Sequence, residues 1–216
     1  FTEADRDRAG QYRARARAAE LAASAGSLEE YQASLGMTAR VAGIDAASTA
    51  RVVQLLNKTN QFNLTTRRRN KAELEAFLAR PGAIGLTLRL ADRFAYHGLV
   101  AVALAEEMAE GEGRALEIDT LLMSCRVLGR GVETLVLAEL ARHAALAGCA
   151  ALVGSYLPSG RNGMVAELYP RHGLLRDGGV KGAAKGAEGA TRWRAATAAL
   201  PAALTAPVPH IHLLRE

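Results

Sequence analysis

The chain has 216 residues, half of them hydrophobic, with a formal net charge of +5 and a sequence pI near 9.6. That length suits one domain with extensions and a sizeable core. No apolar run approaches the ~20 residues of a membrane-spanning helix, and no N-terminal stretch has a signal-peptide pattern. The two cysteines, Cys125 and Cys149, are too few for a disulfide scaffold and lack metal-ligand spacing. A reduced, cytoplasmic protein without a metal is therefore expected. The basic balance suits an acidic partner or a phosphorylated ligand. Nucleic acid and membrane are not expected partners, because aromatics make up only 5% of the chain and no nucleic-acid motif is present. The first residue is Phe1 rather than Met, which suggests a piece of a longer protein.

Residues 1–36 read as a helical linker or extension, and 37–216 as the domain proper. The extension is rich in Ala, Arg and Glu, with a narrow stripe of Tyr12, Ala16, Ala19 and Leu21. Gly26-Ser27 followed by Glu29-Glu30 marks one helix ending and another starting. "MTARVAGI" from Met37 predicts a strand, and 46–57 a helix burying Val52, Val53, Leu55 and Leu56. "KAELEAFLARPG" predicts a second helix stopped by Pro81-Gly82. Three strands follow in "AIGLTLRLAD", "YHGLVAVALAEEM" and "RALEIDTLLMSC". In the third, Leu116, Ile118, Thr120 and Leu122 alternate with Glu117, Asp119, Leu121 and Met123. A helix is expected over 131–147, a strand in "AALVGSYL", a helix over 161–171, a flexible loop over 178–190 and a last strand in "TRWRAAT". Consecutive strands between helices predict an antiparallel meander followed by one β-α-β unit.

The clearest local signal is "LLMSCRVLGRGVETL", in which Arg126-Val127-Leu128-Gly129-Arg130-Gly131 lies between a strand and the next helix. Glycines there let backbone N–H groups approach a phosphate at the helix N-terminus, where the dipole adds positive potential. In "RNGMVAELYPRHGLL", Asn162 and Tyr169 are seven residues apart, two helical turns, and so are expected on one face.

The order strand, R-x-x-G-x-G, helix, strand, N-x6-Y-x3-G-hydrophobic resembles the GNAT acyltransferases over about 37–200. The resemblance implies an α/β (α+β) fold: a mixed central sheet with an antiparallel meander, flanked by helices. It implies that Val127–Val132 takes the pyrophosphate of coenzyme A or the phosphate of a phosphopantetheine arm. It also implies that Tyr169 protonates the leaving thiolate and that Asn162 lines the same cleft. Leu174 stands where the family usually has Phe after the glycine.

Four blocks narrow the resemblance: "KTNQFNLTTRR", "DRFAYHGLV", "EIDTLLMSCRVLGRGVE" and "NGMVAELYP". In this order they resemble the C-terminal domain of the FkbH-like proteins of polyketide biosynthesis. Those proteins divert 1,3-bisphosphoglycerate into a glyceryl thioester on an acyl carrier protein, passing the acyl group through a cysteine. Complete members join a haloacid-dehalogenase-like phosphatase domain to this one, so an acyl carrier protein and such a phosphatase domain, fused or separate, are the implied partners. The D-x-D at Asp5-Arg6-Asp7 lies in a charged helical segment and does not fit the phosphatase motif.

The resemblance makes Cys125 the relay nucleophile, with Arg126, Arg130 and the helix N-terminus favouring its thiolate. Cys149 reads as inert. His172 is a further catalytic candidate, and His97 a weaker one. Asn57, Lys58, Thr59, Asn60, Gln61, Asn63, Thr65 and Thr66 form an amide- and hydroxyl-rich stretch suited to reading the hydroxyls of a glyceryl group. Some of these are expected instead to cap helices and satisfy loop backbone. Arg67–Arg69 suit a phosphate or an acidic carrier. Two other readings stay open: a CoA-dependent GNAT acylating an amine directly, with Cys125 a bystander, and a docking module for a carrier protein.

Overall fold

The computed structural model describes residues 26–111, 113–177 and 189–216. The stripe expected in the first helical stretch, and most of the loop expected at 178–190, lie outside them. Helix α1 (Leu28–Ser34) is capped by the Ser27 hydroxyl, which accepts from Glu30 N–H. Strand β1 (Met37–Gly43) buries Met37, Ala39 and Val41 in alternation. Helix α2 (Ala46–Lys58) starts at a capping box in which Asp45 and Ser48 satisfy each other's backbone N–H. It turns Val52, Leu55 and Leu56 inward. Helix α3 (Lys71–Leu78) starts at the same device, built from Asn70 and Glu73.

Strands β2 (Ala83–Ala91), β3 (Tyr96–Glu110) and β4 (Gly113–Met123) continue from β1 as an antiparallel meander. Helix α4 (Val132–Leu146) carries the chain back, so that β5 (Ala151–Tyr156) runs parallel to β4. Strands β6 (Leu175–Arg176) and β7 (Thr191–Ala196) extend that edge antiparallel, and β8 (Ile211–Arg215) closes the other edge parallel to β1. The eight strands form one mixed sheet ordered β6-β7-β5-β4-β3-β2-β1-β8. A large core lies on the α4 side, and a smaller one packs Val52, Leu56, Leu74 and Phe77 against Leu104 and Leu122.

Three expectations change. Residues 161–171 are not one helix: Gly163–Val165 form a 3-10 turn, and helix α5 is only Leu168–Arg171. Asn162 and Tyr169 therefore do not share a helical face. The simple alternation in β4 breaks because the register with β3 shifts at Leu104/Ala105, where Thr120 and Ile118 pair but Asp119 is skipped. Beyond it, Leu121 and Met123 join the α4-side core and Leu122 the other. Strands β6 and β8, and the short helix α6 (Ala202–Thr205), carried no sequence expectation.

Candidate functional site

Strands β4 and β5 pair only from Ala115↔Ala151 to Ile118↔Gly154 and then part. The chain fills the opening with residues from its own amide-rich stretch. Leu64 N–H donates to Leu121 O at 3.1 Å, Met123 N–H to Phe62 O at 3.0 Å, and Leu157 N–H to Leu64 O at 2.8 Å. Asn63 forms an antiparallel bridge with Leu122. Phe62–Leu64 thus acts as a short strand wedged between β4 and β5. Asn162 pins it from the far side. Its amide donates to Asn63 O (2.8 Å) and Leu157 O (2.9 Å), while its oxygen accepts from Ser159 N–H (2.9 Å). Thr65 donates to Asp119 O at 2.9 Å, and Asn63 Oδ1 accepts from Thr66 N–H at 2.9 Å. That bond supports Thr66 at a φ of +50°.

The expected binding stretch therefore divides. Asn63, Thr65 and Asn162 are buried and hold backbone together. Asn57 donates to Val53 O and Arg69 O, bridging helix and loop. Lys58, Thr59, Asn60 and Gln61 instead line a cleft of about 680 Å3 together with Cys125 and Arg161, above a floor of Leu55, Phe62 and Met123. The three arginines are also engaged. Arg67 and Arg69 pair with the buried Asp119. Arg68 holds Leu56 O and Asn60, and Arg69 lies over the Phe77 ring.

Cys125 opens a 3-10 turn, Cys125–Val127, directly after β4, and is exposed at this cleft. Ser124 fixes the turn: its N–H donates to Val100 O at 2.7 Å and its hydroxyl accepts from Arg126 Nε at 3.2 Å. Cys149 is buried, and desolvation raises its thiol further above the ordinary value.

Gly129 and Gly131 adopt left-handed φ values of 71° and 79°, and Gly131 caps α4 without a side-chain bond. The first helical bond runs from Leu135 N–H to Gly131 O, so the N–H groups of Val132, Glu133 and Thr134 precede the ladder. A Cβ at Gly129 would meet nothing within 4 Å, and the loop is open there. On the other side a Cβ at Gly131 would approach Val208 at 3.1 Å and His210 at 3.3 Å, both from the C-terminal segment. Of the loop's side chains, Val127 and Val132 are core residues. Arg130 is not free for a ligand phosphate. Its guanidinium donates to Asp92 Oδ2 at 2.6 Å, and His97 Nε2 lies 2.8 Å from the same oxygen. Burial works to raise the Asp92 carboxyl, but bonds from His97, Arg130 and the Phe94 and Ala95 N–H groups outweigh it and hold it below its ordinary value. Arg126 remains exposed, donating to His97 O at 3.3 Å.

Tyr169 is fully buried and its hydroxyl has no partner. The ring lies on Gly154, where an added Cβ would come within 2.3 Å of it, next to the point where β4 and β5 part. Burial, with the nearby Glu117 charge, strongly raises the phenol. His172 is buried between helices, with Nδ1–H donating to Leu168 O at 2.8 Å and Nε2 2.9 Å from the Thr134 hydroxyl. Neither Tyr169 nor His172 lines the cleft that Cys125 opens into.

Sequence reasoning passed over Arg161, Phe62 and Glu117. Glu117 is half-buried on β4, and desolvation raises its carboxyl against the lowering effect of Arg192 and Arg67. Its signal was a carboxylate between the apolar Leu116 and Ile118 of β4. Among the described residues no group of three or more His, Cys, Asp or Glu side chains could hold a metal ion, and no helix is long and apolar enough to cross a membrane.

No protein-family model and no curated protein sequence matches the chain. Solved structures do. The GNAT domain of S. lividans PAT superposes with a TM-score of 0.53 at 16% identity, over 72% of this chain and 89% of that one. The ribosomal-protein-S18-alanine N-acetyltransferase of Escherichia coli gives 0.53 at 11% identity, over 74% and 94%. The spermidine N-acetyltransferase of Vibrio cholerae, solved with CoA and spermine, gives 0.53 at 12%, over 76% and 96%. The chain has the GNAT fold.

Proposed function

We propose that this chain is an acyltransferase that carries a glyceryl group as a thioester on Cys125 and hands it to the phosphopantetheine thiol of an acyl carrier protein, as the FkbH-like resemblance implies. The supporting observation is the shared cleft: an exposed Cys125 at the start of the phosphate-type loop, facing Lys58–Gln61 and Arg161. The acyl phosphate of 1,3-bisphosphoglycerate is the donor, and a haloacid-dehalogenase-like phosphatase domain removes the second phosphate by hydrolysis. The Cys125 thiolate attacks the acyl carbonyl, a C–S bond forms, the C–O bond to phosphate breaks, and phosphate leaves. The carrier thiolate then attacks the thioester carbonyl and Cys125 leaves as thiolate. Lys58 and Arg161 add positive potential for the anionic donor. The hydroxyl and amides of Thr59, Asn60 and Gln61 meet the glyceryl hydroxyls, a pairing that discriminates against analogues lacking them. The N–H groups at the start of α4 and Arg126 receive the phosphate of the carrier's arm.

A second reading is favoured by Glu117. Its raised carboxyl lies on β4 beside the strand separation, across the sheet from the Tyr169 phenol, and suits a base accepting a proton from an amine that is acylated directly from acyl-CoA. Transfer assays with Cys125→Ala and Glu117→Gln separate the two. The relay predicts loss of carrier acylation in Cys125→Ala and retention in Glu117→Gln. The opposite pattern, with an amine acceptor, supports direct transfer.

A further inference from the structure

Charge is distributed unequally between the two ends of the sheet. At the end where β3 finishes and β4 begins, Arg80, Arg114 and Arg194 are matched with Glu106, Glu107 and Glu110. At the end that holds Cys125, two carboxylates are consumed inside the fold: Asp92 by Arg130 and His97, and Asp119 by Arg67 and Arg69. The cations outside them are unmatched. Among the described residues no carboxylate pairs with Lys58 at the end of α2, Arg93 in the β2–β3 turn, Arg126 after Cys125 or Arg161 after β5. All four are exposed.

These cations border one recess. Lys58 and Arg161 line the cleft with Cys125. Arg126 reaches His97 O at 3.3 Å, which brings the β2–β3 turn, with Arg93 and Tyr96, beside the Cys125 turn. Two large apolar side chains stand out at the same end. Tyr96 is 70% exposed, and Met164, in the 3-10 turn after Asn162, is 51% exposed. Arginine, tyrosine and methionine are the residues enriched where proteins meet proteins. A nucleic acid strand would call for several stacking aromatics, and Tyr96 is the only aromatic among the large exposed hydrophobics of the described residues.

We infer that this cationic rim is a docking surface for an acidic protein, and that its occupant is the carrier protein of the proposed reaction. Arg93 and Tyr96 are contacts outside the lining of the cleft. The identity of the partner rests on the reading above, whereas the surface rests on the charge distribution.

An acidic acyl carrier protein in its apo form, which has no arm, tests the surface separately from transfer. It is titrated into the full chain and followed by fluorescence anisotropy. The wild type should bind, and more weakly as salt rises from about 50 to about 200 mM. Arg93→Glu sets a like charge against the acidic partner and should weaken binding at least about tenfold. Tyr96→Ala should weaken it at least about fivefold. Arg80→Glu, the same charge change at the matched end, should shift it less than about twofold. Arg93→Ala, should the glutamate variant melt early, gives a smaller loss in the same direction. Absence of salt-sensitive binding, equal weakening by Arg80→Glu, or unchanged affinity in both the Arg93 and Tyr96 variants overturns the docking surface, even where holo carrier is acylated and the reading above holds. Tighter binding of duplex DNA or of phosphatidylglycerol vesicles than of the carrier overturns the assignment to a protein. Docking as predicted, with no acyl group found on Cys125 by mass spectrometry, keeps the surface and removes the relay.

Discussion

A phenol buried without a hydrogen-bond partner costs its protein stability, and Tyr169 carries one where β4 and β5 separate. Tyr169→Phe should therefore stabilise the fold by about 1–3 kcal/mol in urea unfolding, the usual penalty of an unsatisfied buried group. A simultaneous fall in transfer rate would mark a hydroxyl retained for chemistry rather than for the fold. Gly154→Ala, which drives a methyl into the same ring, should destabilise by about 1–3 kcal/mol. Glu117 gives a pH test with a definite sign. Its folded carboxyl lies above the ordinary 4.5, so the charged form opposes folding at neutral pH and protonation relieves it. Glu117→Gln should melt higher than wild type at pH 7, and the gap should close as pH falls towards 4.5. At this scale the sequence placed Cys125 at the strand end beside the loop, as found. It misjudged Asn162 and Tyr169, because a seven-residue spacing means one face only in an unbroken helix. Here the helix is interrupted at Ala166–Glu167, between the 3-10 turn and α5, and Pro170 has no N–H for a bond back to Ala166 O.

At the scale of elements, the loop before α4 is tied to the β2–β3 turn by Asp92, His97 and Arg130. The Asp92 carboxyl lies below its ordinary 3.8 in the fold. Its contribution is therefore present above about pH 4 and is lost as pH falls through the folded value. Asp92→Asn should lower the melting temperature at pH 7, with the difference shrinking under acid. The wedge is the other element-scale feature. Asn162→Leu removes a buried amide that joins three backbone segments, leaving Asn63 O without that donor. It should cost about 2–4 kcal/mol in urea unfolding. The wedge could not be read from "NKTNQFNLTT". Amides that face a ligand and amides that satisfy buried backbone use the same residues, and only the strand edges they meet tell them apart. The same limit applies to Arg67–Arg69, whose run suggests a solvent-facing cation patch until the buried Asp119 and the Phe77 ring are seen opposite.

Across the whole molecule, the meander, the parallel return through α4 and the glycine loop were legible because their periodicity and punctuation are local. Strand β8 was not: "IHLLR" is short, follows Pro207 and Pro209, and becomes a strand only against β1, far away in sequence. Its approach segment also covers Gly131 with Val208 and His210, so the far end of the chain shapes the loop that the proposed carrier arm would reach. The central claim is that Cys125 is acylated. Intact-protein mass spectrometry tests it most directly, after mixing the chain with 1,3-bisphosphoglycerate and an active phosphatase partner, then adding holo carrier protein. The account predicts a glyceryl adduct on the wild type that is absent from Cys125→Ala and moves to the carrier. Carrier acylation that persists undiminished in Cys125→Ala would contradict it.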